Sequence, residues 1–145
     1  MKRQDPLLIS FQIVSLQCFY YAFMGIFFMG CHVIYGLPLS LDRFFSLTRS
    51  LDVLTESGGL EVLAIFASGL VGATLLRTIV EKSRKCLDFA VTLYIIHAVT
   101  CVVYSDFTLP NLTWWIVHFV ALVVMVVLGE YLCSRRELQD IPLVS

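Results

Sequence analysis

The stretch LLISFQIVSLQCFYYAFMGIFFMGCHVIYGLPLSL, residues 7–41, decides the fold of this chain. Its 35 residues contain no Asp, Glu, Lys or Arg. As one helix it would be about 52 Å long, well beyond a hydrocarbon core of about 30 Å, so Gly36 and Pro38 are expected to end the helix before the loop begins. The run far exceeds the apolar core of a secretory signal peptide, and no small-residue cleavage site closes it. It therefore reads as a retained membrane anchor.

Three more apolar runs follow, each bracketed by charge or by a helix breaker. The second begins after Gly58 and Gly59 and ends at Arg77 and the basic residues beyond it. The third lies between Asp88 and Asp106, and its 17 residues give about 25 Å of helix, a span that barely crosses. The fourth starts after Pro110 and runs to Glu130 and the charges that follow. The fold expected is all-α: a polytopic four-transmembrane-helix bundle forming a single domain, residues 1–145, with spans at about residues 9–35, 60–79, 88–105 and 112–132. The composition agrees, being 59% hydrophobic and 14% charged with a mean hydropathy of +0.86, and little of the 145 residues is left for a soluble catalytic domain.

Basic residues set the expected orientation, because Lys and Arg near span ends stay cytosolic. Lys2, Arg3, Arg77, Lys82, Arg84, Lys85, Arg135 and Arg136 fall on one side, and Arg43 and Arg49 on the other. Both termini are then cytosolic, and the first loop, residues 36–59, is luminal. In that loop Leu41, Phe44, Phe45, Thr48 and Leu51 recur at helical spacing, the pattern of an interfacial helix. A formal net charge of −1 supplies no field to recruit nucleic acid. The partner fixed by composition is the lipid bilayer.

The chemistry-bearing residues are sparse. Cys18, Cys31, Cys86, Cys101 and Cys133 form no CxxC pair and read as small packing residues. His32, His97 and His118 lie on three different spans, and His97 with Cys101 is at most half of a metal site, so no metal or cofactor is expected. Gln12, Gln17 and His97 read as interhelical hydrogen-bonding groups. Ser68, Gly69, Gly72 and Ala73 give small-xxx-small spacing, which suits close packing inside the bundle and, second to that, a homo-oligomer. Asn111-Leu112-Thr113 fits a glycan acceptor, but its place at the mouth of the fourth span favours a turn and helix start. Trp114 and Trp115 read as an aromatic belt.

A small four-helix transporter or channel is the alternative class, but it would carry a carboxylate in mid-span, and no span has one there. An integral-membrane enzyme would need histidines, carboxylates or a nucleophile-base pair at one depth, and no such constellation is legible. A receptor or scaffold that presents short cytosolic surfaces remains. Asp88 and Glu130 sit at the ends of opposite-running spans and are expected to share a cytosolic docking rim with Lys85, Tyr131, Arg135 and Glu137.

Three segments carry a resemblance: Asp5-Pro6-Leu7-Leu8-Ile9 with Gln12-Ile13-Val14, Leu16-Gln17 and Tyr20-Tyr21; Lys85-Cys86-Leu87-Asp88-Phe89 with Val91-Thr92 and His97; and Leu112-Thr113-Trp114-Trp115 with Gly129-Glu130-Tyr131-Leu132-Cys133, Arg135, Glu137-Leu138 and Ile141-Pro142-Leu143. Together they resemble the SYS family of Golgi trafficking membrane proteins. The match is weakest in the first loop and second span, and Tyr94 stands where that family's pattern suggests a second histidine. The resemblance implies a multi-pass trans-Golgi receptor that holds an Arf-like (Arf-related) small GTPase through the GTPase's acetylated amino-terminal helix, in support of vesicle trafficking and protein transport. Acetylation removes a terminal positive charge and lets a helix end enter an apolar setting, while one weak anchor holds a protein poorly on a membrane.

Overall fold

The computed structural model describes residues 5–45 and 56–139. These form α1 (Pro6–Tyr35), the single turn α2 (Asp42–Phe45), α3 (Glu56–Leu75) with a π-helical continuation (Leu76–Val80), α4 (Ser83–Tyr104) and α5 (Leu112–Gln139). Four of them are long and apolar enough to cross a membrane. The protein is an all-helical, four-span membrane bundle.

Local chemistry sets the ends. Pro6 opens α1, where its missing N–H costs nothing. Gly36 closes it in the left-handed region at φ 64°, and its N–H donates to the His32 carbonyl at 3.0 Å. Asn111 caps α5, its Oδ1 accepting the Trp114 N–H at 2.8 Å, so this residue acts as a helix start. α4 begins at Ser83, five residues before the expected start, and Arg84, Lys85 and Asp88 all lie within it. The third span therefore has 22 residues and does not fall short of the bilayer.

α3 and α4 diverge from the short link at Glu81-Lys82. α5 packs against both on one side and α1 against both on the other, so α1 and α5 stand at opposite corners. Every fourth residue of α1, Leu16, Tyr20, Met24 and Phe28, enters the core, where it meets Ala64, Ile65, Leu93, Ala121 and Met125. The small-residue stripe of α3 faces α5: a Cβ on Gly69 would lie 3.4 Å from the Ala121 carbonyl oxygen, and one on Gly72 would lie 2.8 Å from Met125 Cε. Gly129 of α5 returns the arrangement, its absent Cβ leaving room for Leu76 Cδ1 at 2.8 Å. The stripe is used within the bundle.

The described part of the first loop, residues 36–45, is not an interfacial helix. α2 is one turn long, and its aromatic rings turn inward. Phe44 packs edge-on against Phe28 at 4.9 Å, and Phe45 lies 5.5 Å from Tyr21. Gaps between α1 and α4 accept these rings more favourably than the headgroup layer would. Thr48, Arg49 and Leu51 of the same pattern lie outside the described residues, as do Lys2, Arg3 and residues 141–143.

Candidate functional site

Polar residues gather at the two ends of the bundle, and each end does a different job. At the end where α1 starts and α5 finishes, side-chain ties hold the helices together. Cys86 and Cys133 are fully buried with their sulfurs 3.2 Å apart, joining α4 to α5. Ser83 donates to Glu137 from its N–H at 3.3 Å and its hydroxyl at 2.8 Å. Arg136, read from the sequence as a cytosolic charge, pairs with Glu81 at 3.0 Å and donates to the Arg77 carbonyl at 2.9 Å. Gln12 of α1 donates to the Ile79 carbonyl at 2.7 Å, and Gln17 donates to the Leu93 carbonyl at 3.1 Å. The Ile79 bond satisfies a carbonyl in the π-helical turn, and both bonds run between helices.

The expected docking residues share this end but not one surface. Lys85 and Asp88 line a groove of about 150 Å³ between α1 and α4, with Ile9, Ile13, Phe89 and Thr92. Glu130 and Tyr131 line a separate groove of about 480 Å³ between α4 and α5, with Ser83, Arg84, Val127 and Ser134. Asp88 and Glu130 thus point to different sides of α4, which corrects the expectation of a shared interface: being at the same depth does not put two residues at the same azimuth. Among the described residues neither carboxylate has an ion-pair partner. Arg135 lies over the Tyr131 ring at 5.5 Å, and Glu137 is committed to Ser83.

The opposite end holds a feature that sequence reading missed. Arg43 of α2 and Glu61 of α3 are both buried, at 8% and 7% exposure, and stand 3.9 Å apart. Asp42 accepts the Tyr104 hydroxyl at 2.8 Å and ties the same turn to α4. Beneath this pair a cavity of about 30 Å³ reaches His97, Trp114 and His118, room for about one water. His97 and His118, far apart in sequence, stack with centroids 5.4 Å apart, and Trp114 stacks on His118 at 3.9 Å. Trp114 is buried in this stack and is not part of an exposed aromatic belt, whereas Trp115 is exposed. Tyr21 shares a hydrogen bond with His97 Nδ1 at 3.1 Å, and Cys101 lies 3.5 Å from Nε2. His32 stands apart, with its Nδ1 at 2.6 Å from the Leu37 carbonyl. Among the described residues no three His, Cys, Asp or Glu side chains are grouped to hold a metal ion.

Comparison with known proteins covers nearly the whole chain. The family described as "Integral membrane protein S linking to the trans Golgi network" (SYS1) matches residues 1–143. A SYS1 homolog of Nematostella vectensis is 36% identical over 137 residues, covering 94% of this chain and 86% of the relative. A SYS1 homolog of Dictyostelium discoideum is 38% identical over 139 residues, covering 96% of this chain and 59% of the relative. Protein SYS1 of Saccharomyces cerevisiae is 26% identical over 137 residues, and the chain spans 66% of its length. No solved structure matches. A match along nearly the whole chain, on a four-span helical bundle, shows that the protein belongs to the SYS1 family of integral membrane proteins.

Proposed function

We propose that the protein is a non-enzymatic receptor in the trans-Golgi membrane, with both termini cytosolic, that recruits an Arf-related small GTPase by its acetylated amino-terminal helix. One observation supports this reading above the others: parts of all three segments that carry the family resemblance, distant in sequence, converge on one end of the bundle. Ile9 and Ile13 from the first segment meet Lys85, Asp88 and Phe89 from the second in the α1–α4 groove. Cys133 and Glu137 from the third are bound to α4 beside it. An uncharged, acetylated helix end suits an apolar groove floored by Ile9, Ile13 and Phe89, and Asp88 at its rim is free to accept a hydrogen bond from the incoming helix. Among the described residues, six of the seven lysines and arginines lie on this side, which favours its facing the cytosol.

Co-purification in mild detergent with acetylated and unacetylated GTPase tests mechanism and partner together. The acetylated form is expected to be retained and the unacetylated form lost. Asp88→Ala and Glu130→Ala, made separately, assign the groove. An interaction made by a partly desolvated charge is worth about 2–5 kcal/mol and an exposed rim charge about 0.2–1 kcal/mol, so the variant in the occupied groove should release the GTPase to the cytosol while the other retains it. Normal recruitment by both variants would place the contact elsewhere.

The transporter alternative makes a different prediction. Glu61, the buried acid of α3, lies about one and a half turns inside its helix beside Arg43 and not in mid-span. His97→Gln and His118→Gln are expected to leave GTPase recruitment largely intact. A proton or solute flux in reconstituted vesicles that depends on the protein and is abolished by either change would replace the receptor reading with transport.

A further inference from the structure

Two of the five cysteines stand together. Cys86, in the first turn of α4, and Cys133, near the end of α5, are both fully buried, and the Cys86 thiol donates to the Cys133 sulfur at 3.2 Å. The other three lie elsewhere, Cys18 and Cys31 on α1 and Cys101 against His97 at the opposite end. An S–S bond is about 2.05 Å long, so a movement of about 0.6 Å by each sulfur would join the pair, a step on the scale of side-chain adjustment. Two sulfurs alone do not make a metal site, and among the described residues no third His, Cys, Asp or Glu is grouped with them.

The pair is buried but not remote. The groove of about 480 Å³ between α4 and α5 opens beside it: Ser83 and Arg84 precede Cys86 within the same turn, and Glu130 and Ser134 flank Cys133. A solute as small as hydrogen peroxide can enter this polar groove. The first turn of a helix opens more readily than its middle, and such an opening of α4 exposes Cys86 to the groove. With this end in the cytosol, the one premise taken from the receptor reading above, the glutathione pool keeps both thiols reduced at rest.

We infer that Cys86 and Cys133 are a reversible disulfide site, closed by peroxide and reopened by a cellular dithiol, that staples α4 to α5 at the end carrying both grooves. One sulfur takes an oxygen from hydrogen peroxide: the O–O bond breaks, a sulfenic acid forms and one water leaves. The second sulfur attacks the first, so the S–S bond forms, the S–O bond breaks and a second water leaves. Two thiols and one peroxide give one disulfide and two waters, with two electrons passing from sulfur to oxygen. Because the attacking sulfur is already in place, this closure outruns further oxidation of the sulfenic acid. The bond adds a covalent tie to the Ser83–Glu137 hydrogen bonds and holds the walls of the α4–α5 groove together when the helix ends would otherwise open.

The test exposes the full chain in sealed microsomes to hydrogen peroxide, quenches with catalase, unfolds in dodecyl sulfate and counts maleimide labels by intact mass. Five labels are expected before peroxide, one per cysteine, and three after it, the five less the joined pair. Dithiothreitol should restore all five. Cys86→Ser and Cys133→Ser, each with four cysteines left, should take four labels with and without peroxide, whereas Cys18→Ser, at an exposed position, should still lose two. Mapping the linked fragments after chymotryptic cleavage identifies the pair even if a variant fails to fold. Five labels after peroxide would overturn the proposal, as would losses that dithiothreitol does not reverse. Two labels missing before peroxide would also overturn it, and that result alone would count against the cytosolic orientation, since it marks a standing disulfide that the glutathione pool does not reach.

Discussion

Glu61→Ala should lower the stability of the folded protein by about 3–5 kcal/mol, because it leaves the Arg43 guanidinium buried without its countercharge. Arg43 is held in place by α2, which is fixed on either side by Phe44 against Phe28 and by Asp42 against Tyr104. The guanidinium therefore cannot swing out to water without undoing those contacts. Arg43→Met should also be destabilising, because it removes the guanidinium that stands 3.9 Å from the buried Glu61. The double variant Arg43→Met with Glu61→Leu should recover most of the loss, since an apolar pair of similar volume carries no desolvation cost. Thermal unfolding in detergent micelles measures all three. Should Glu61→Ala cost less than about 1 kcal/mol, the pair behaves as a solvated surface bridge and does not anchor the loop.

The second large effect concerns glycines, and it depends on position. Gly72→Leu should separate α3 from α5, because the new side chain starts 2.8 Å from Met125 Cε and the whole of Met125 is buried. Gly129→Leu meets Leu76 in the same way. Overpacking of this kind typically costs about 1–3 kcal/mol, and more where the backbone has to move. Gly72→Ala should be milder, since the far end of a flexible methionine can give way. Gly25 and Gly30 on α1 are the controls: a Cβ at either meets nothing within 4 Å, so alanine there should be neutral or stabilising through its better helix propensity. Unfolding transitions for the five variants side by side decide the matter, and equal losses at all four positions would mean that α3 and α5 are not the tightly packed pair described.

Those glycines also show how far a sequence can be read. Small residues at four-residue spacing announce a close helix contact, and charges that interrupt apolar runs announce where spans end, because both follow from the chemistry of neighbours along the chain. The start of α4 was less legible. Arg84, Lys85 and Asp88 mark the edge of the apolar run, but a helix can continue past the hydrocarbon boundary with charged residues on it. Azimuth was the main loss. Each span is apolar nearly all round, so nothing in the pattern distinguishes the face toward lipid from the face toward protein. Hence Trp114 and Trp115 looked alike although one is buried on His118, and Asp88 and Glu130 looked like neighbours although α4 stands between their grooves. The Arg43–Glu61 pair joins a loop turn to a span 18 positions on, a relation that no local periodicity encodes.

The divergence of α3 and α4 has a consequence for how the protein is made. Both leave the Glu81 link with faces that α5 completes: Gly69 and Gly72 of α3 lie against Ala121 and Met125, and the His97 ring of α4 stacks with Trp114 and His118. α5 follows the other three spans in the chain, so until it is in place these positions lack their packing partners. Before that, α1, α3 and α4 form an open wedge, and the packing of the bundle is completed only when α5 closes it.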